Sequence, residues 1–130
     1  MPDAARVLDS DKNCPTLALV EGAGRAHAVA WPGVGSALRS MTRFWLGPSA
    51  RTVSQQHEME AVYYVIAGEG VVNDADAGTS QPLAAGAMAH VEPRTTYQFR
   101  AGASGMELIG GPCPPDPALY RRPAASAAGV

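Results

Sequence analysis

Fourteen glycines and eleven prolines interrupt this 130-residue chain so often that no stretch keeps an apolar helical period through three turns. What survives between the interruptions is short and extended. Residues 26–31 (AHAVAW) and 39–46 (RSMTRFWL) have strand length and flank the turn-rich PGVGSA. Residues 51–57 and 61–67 (AVYYVIA) follow, the second rich in Val, Ile and Tyr, and Gly68 with Gly70 bends the chain into VVN. Runs at 87–91, 96–100 and 106–109 complete the set. NDADAGTSQP reads as a polar turn. GGPCPPDPALY reads as a surface crossing anchored by Tyr120, because proline supplies no amide to a central strand. This rhythm predicts an all-β barrel or sandwich.

The length suits one core and not two. Residues 1–25 read as an N-terminal extension with room for an edge strand, 26–120 as the barrel and 121–130 as a disordered tail. Ten Lys plus Arg against twelve Asp plus Glu leave a net charge of −2 with no basic run, so neither nucleic acid nor an anionic membrane is an expected partner. A small-molecule substrate fits better. Cys14 and Cys113 match no metal-ligand spacing and follow no leader, which predicts reduced thiols and a cytoplasmic setting. No apolar run approaches the ~20 residues that span a bilayer.

Two segments carry a resemblance. SARTVSQQHEMEAVYYVIAGEG (49–70) and GAMAHVEPRTTYQFRA (86–101) are similar in spacing to the two motifs of the cupin superfamily, which implies a double-stranded β-helix, the jelly-roll barrel. In the first motif Ser49 takes the leading Gly position, Gln55 and His57 the two His positions, Ala61 the Glu position and Gly68 the closing Gly. In the second, Gly86 is kept, whereas Glu92, Arg94, Tyr97 and Ala101 stand at the Pro, Gly, His and Asn positions. Spacing is retained while the ligand chemistry is replaced. One of the four family metal ligands remains, so no cofactor is expected. The alternative is a divalent Fe, Mn, Ni or Zn ion held by Gln55, His57, Tyr97 and, if a bulge turns it inward, Glu60.

Without a metal, the same inward positions suit acid–base chemistry. An imidazole both takes and gives a proton near neutrality, which makes His57 the candidate base or acid, with Tyr97 as its catalytic partner. Gln55 would fix a carbonyl or hydroxyl, and Tyr63 shares the inward face of Ala61 by strand alternation. Arg43 and Trp45 alternate on their strand as a candidate clamp and stacking surface, and His90 is a further candidate for substrate contact. His27 has no motif behind it and reads as structural. Such a set suits a lyase such as a dehydratase, or an isomerase or cyclase, of specialised metabolism. A metal-dependent oxygenase or lyase and a non-catalytic small-molecule binder remain as alternatives. A homodimer formed through outer strands is the expected assembly.

Overall fold

Strand alternation decides which side chains enter the interior, and β6 (Ala61–Asp74) shows it most clearly. Ala61, Tyr63 and Val65 are buried, whereas Val62, Tyr64 and Ile66 stand on the outer surface. The computed structural model describes residues 5–121. Its other strands are β1 (Thr16–Leu17), β2 (Val20–Glu21), β3 (Gly24–Ala30), β4 (Met41–Leu46), β5 (Arg51–Thr52), β7 (Thr79–Ala84), β8 (Met88–Val91) and β9 (Tyr97–Pro112). Two short 3-10 turns, Pro32–Val34 and Pro117–Arg121, are the only helical pieces among the described residues. No helix there is long and apolar enough to cross a membrane.

All strand pairs are antiparallel, and β6 and β9 run beside each other from Ala61↔Pro112 to Asp74↔Tyr97. Along one half of this ribbon β4 adds to β9 and β8 adds to β6; along the other, β5 adds to β9 and β7 to β6. One sheet is thereby curled into two walls, the jelly-roll barrel. The changeover coincides with register shifts between Val65 and Ala67 and between Gly68 and Gly70. Gly68 is required there: its φ is 80°, and a Cβ would stand 2.2 Å from the Gly105 carbonyl oxygen. Leu19, Phe44, Leu46, Tyr63, Val65, Tyr97, Phe99, Met106 and Leu108 fill the space between the walls.

Several boundaries differ from the expectation. The extension 1–25 supplies β1, β2 and the start of β3, and β1 pairs with β3 through Thr16↔His27 and Leu17↔Ala26. Only Arg51 and Thr52 of 51–57 form a strand, and Gln55 rejoins the sheet through a single bridge to Tyr97. The polar segment NDADAGTSQP is mostly strand. β6 runs on to Asp74, whose Oδ1 accepts from the amides of Asp76 and Ala77, and the chain returns as β7. Because β7 is an edge strand with most side chains exposed, it tolerates Pro82 and carries no apolar alternation.

Gly110 to Pro112 also belong to β9, and the surface crossing begins only at Cys113. Leu119 is the buried anchor of that crossing, while half-buried Tyr120 packs on Trp31 with ring centroids 5.0 Å apart. Of the tail expected to be disordered, only Arg121 falls within the described residues; 122–130 lie outside them.

Candidate active site

Backbone geometry first brings the two motif segments together. Ser49 and Arg94, which stand where the family motifs have glycine, adopt φ of 62° and 64°. The left-handed turn is therefore retained without the residue that adopts it most easily, at a cost of about 1–2 kcal/mol each. Arg94 uses that conformation to donate its amide to the His57 carbonyl at 2.6 Å. One step along, Gln55 and Tyr97 exchange both backbone hydrogen bonds at 2.9 Å. Gln55 and His57 consequently point inward beside Tyr97, and Gln56 points out to bond Arg94 and Thr96.

Four side chains then form one hydrogen-bonded series. Tyr63 and Tyr97 hydroxyls are 2.5 Å apart, Tyr97 Oη is 3.0 Å from His57 Nε2, and His57 Nδ1 is 2.6 Å from Asp116 Oδ2. A carboxylate can only accept, so Nδ1–H donates to Asp116; in the neutral ring Nε2 then accepts from Tyr97, and Tyr97 Oη accepts from Tyr63. Burial raises both tyrosine pKa values well above the ordinary 10.0; at Tyr97 the neighbouring Tyr63 and Asp116 add to the rise. Both phenols stay protonated and act as donors.

Asp116 is the member of the series that sequence reasoning missed. It caps the 3-10 turn Pro117–Arg121: its Oδ1 accepts from the Ala118 amide at 3.0 Å and its carbonyl from Leu119 at 3.1 Å. The available signal was local. Asp116 is the single acidic residue in GGPCPPDPALY and stands directly before Pro117, the arrangement of an N-cap followed by proline.

Beside the series lies a cleft of about 80 Å³ lined by Gln55, His57, Asp116, Leu19 and Leu119. Gln55 is 6% exposed, and both its Oε1 and Nε2 are buried without a partner among the described residues. A second cavity of about 120 Å³ reaches Tyr97 from the side of β7 and β8, between Val72, Gln81 and Val91.

Other candidates are placed elsewhere. Arg43 and Trp45 lie on the outward face of β4, contrary to the expectation that they line the cavity. There the Arg43 guanidinium bonds Glu107 and Ser10 and lies over the Trp45 ring, 4.6 Å from its centroid. His90 also faces outward, 2.7 Å from Glu60 Oε1, a contact that raises its pKa. The bulge imagined for Glu60 does not form: Ala61 is the inward residue. His27 packs edge-on to Trp45 and donates Nδ1–H to the Cys14 carbonyl at 2.9 Å.

A divalent metal of the kind many barrels of this shape hold does not fit these residues. Of the expected ligands only His57 offers an imidazole: Gln55 is a neutral amide, the buried Tyr97 phenol stays protonated, Ala61 offers no donor, and Glu60 is on the other face. The described residues contain no group of three or more His, Cys, Asp or Glu placed to hold an ion.

Family models gave no match to the chain, and neither did the curated proteins. Solved structures did. An RmlC-like cupin from Shewanella frigidimarina superposes with a TM-score of 0.70 at 18% identity, covering 92% of this chain and 100% of that one. The polyketide cyclase RemF from Streptomyces resistomycificus gives 0.66 at 18% identity over 85% and 82%, and an ectoine synthase from P. lautus 0.66 at 18% over 86% and 80%. At such identities the likeness establishes the fold, and the fold is that of the cupins.

Proposed function

We propose that this cupin barrel is an acid–base enzyme for a small carbonyl compound, a lyase of the dehydratase type or an isomerase or cyclase, with His57 as base and acid. The observation that carries the reading is the unbroken series Asp116–His57–Tyr97–Tyr63, which runs from a carboxylate at the barrel mouth to a fully enclosed phenol. A packing histidine needs one partner; this one is oriented from both sides and borders a cleft.

The Tyr97 oxygen stands 3.0 Å away on the Nε2 lone pair, so the Tyr97 side chain must move off Nε2 when substrate enters. Nε2 then takes the proton from the carbon beside the substrate carbonyl, and Asp116 stabilises the imidazolium through Nδ1–H. The enolate oxygen accepts from the Gln55 amide. In the dehydration, the enolate re-forms the carbonyl as the new C=C forms, the β-hydroxyl leaves with its bonding pair, and the imidazolium proton converts it to water. In the isomerisation the same proton returns to a different carbon. Either way His57 ends neutral.

Tyr63, 2% exposed, does not touch substrate and acts as a positioning residue through Tyr97. The cyclase and ectoine synthase among the similar structures support enzymatic use of this barrel. A panel of β-hydroxy ketones, lactams and lactones in D2O tests the proposal by NMR. Deuterium entering the carbon beside the carbonyl with wild type and not with His57→Ala is expected; exchange at equal rates with both, or with neither, would overturn it.

A further inference from the structure

We infer that the cleft at the barrel mouth reads an amide edge, a carbonyl and an N–H side by side as in a lactam, and that Gln55 is the residue that reads it. This deepens the acid–base reading by naming its substrate class, and it rests on that reading only in placing the substrate in the cleft.

The primary amide of Gln55 carries one acceptor and one donor group in a plane, and burying either without a partner is unfavourable. Here both are buried and unpartnered, on a side chain 6% exposed that lines the cleft. Its backbone is fixed by the two bonds to Tyr97, which keeps the side chain on the inward face. A ligand with a cis carbonyl and N–H satisfies both atoms at once. Exchanging the Gln55 oxygen and nitrogen positions reverses the ligand and leaves the recognition intact.

The neighbours narrow the class. Asp116 already accepts from His57 at Oδ2 and from the Ala118 amide at Oδ1, so it leaves the Gln55 amide as the buried polar group of the cleft without a partner among the described residues. A substrate carboxylate would stand beside the Asp116 carboxylate and be repelled. Leu19, Ala118 and Leu119 form an apolar wall suited to methylene groups. About 80 Å³ is little more than half of a cavity that holds benzene, so the cleft takes a small ring or the head of a longer molecule.

The test uses three small-ring probes: 2-pyrrolidone, its size match cyclopentanone, and N-methyl-2-pyrrolidone, which is one methyl group larger. Each is titrated into 15N-labelled full-length protein, and the Gln55 side-chain amide resonances are followed. The lactam should bind in the millimolar range and shift those resonances, and each of the other probes, lacking the N–H, should bind about tenfold more weakly. In Gln55→Met, which keeps length without donor or acceptor, the three should bind within about twofold of one another. Equal affinities in wild type, or Gln55 resonances unmoved by the lactam, would overturn the inference whether or not Gln55→Met folds. Lactam binding without deuterium exchange at any substrate would leave this inference standing and remove the acid–base reading; exchange with carbocyclic ketones alone would do the reverse.

Discussion

Two clusters of polar and aromatic side chains occupy opposite faces of the barrel wall, and they differ in how their charges are met. The inner one, Asp116–His57–Tyr97–Tyr63, is enclosed and ordered end to end by hydrogen bonds of 2.5–3.0 Å. The outer one gathers Arg25, His27, Arg43, Trp45 and Glu107 beneath the segment that carries Ser10, Asp11 and Cys14. Both arginines lie over the Trp45 ring, at 4.0 and 4.6 Å, and both also pair with a carboxylate. The outer cluster fastens the N-terminal segment to the sheet; its cations are already occupied. Beside the inner cluster the Gln55 amide has nothing to bind among the described residues, and both it and His57 border a cleft. Abundance of chemical groups does not distinguish a site from a clasp; unspent bonding capacity beside a cleft does.

Activity should separate the two clusters most widely. His57→Ala is expected to reduce deuterium exchange into substrate by about 10²–10⁴-fold, whereas Arg43→Met changes it by less than about twofold. Comparable losses in both would erase the distinction. Asp116→Asn retains size and can still accept from Nδ1–H but loses the charge that meets the imidazolium; a drop of about 10²-fold in kcat with KM little changed is expected.

Stability should separate them next. Tyr97→Phe strands His57 Nε2 and the Tyr63 hydroxyl in the core and should cost about 1–3 kcal/mol in urea unfolding, against roughly 1 kcal/mol or less for the partly exposed Arg43–Glu107 pair in Arg43→Met. An outer loss larger than the inner one would invert the comparison.

A pH series sharpens it further. The folded pKa values of Tyr63 and Tyr97 lie above their unfolded value near 10.0, so above that pH the unfolded chain binds fewer protons than the folded one. The stabilisation is complete below pH ~10 and is lost as pH rises beyond it. Wild type should therefore weaken more steeply between pH ~9 and ~11 than the Tyr63→Phe, Tyr97→Phe double variant. The smallest effect belongs to the outer face: Glu60→Gln should lower the His90 pKa, read by NMR, and leave exchange activity unchanged.

Strand alternation and motif spacing made much of this legible beforehand. The inward direction of Tyr63 follows from strand alternation, while the cupin barrel and the placement of Gln55, His57 and Tyr97 within it are what the motif resemblance implies. Arg43 and Trp45 were misplaced because alternation says that two residues share a face without saying which face. The inward residues of β4 proved to be Thr42, Phe44 and Leu46. β7 was hidden because an exposed edge strand has no apolar face to announce it. Asp116 was beyond reach because its role arises from a contact across 59 residues, made by a segment whose prolines signal only that it is not a central strand.

The central claim is that His57 is held as the Nδ1–H form by Asp116 and accepts at Nε2 from Tyr97. It is tested most directly by 15N NMR of the histidine side chains at pH ~8, where an ordinary imidazole is mostly neutral. His57 is expected to carry its proton on Nδ1, with a slowly exchanging N–H that moves in Asp116→Asn and an Nε2 that shifts in Tyr97→Phe. A neutral ring protonated on Nε2, or resonances indifferent to both substitutions, would contradict it.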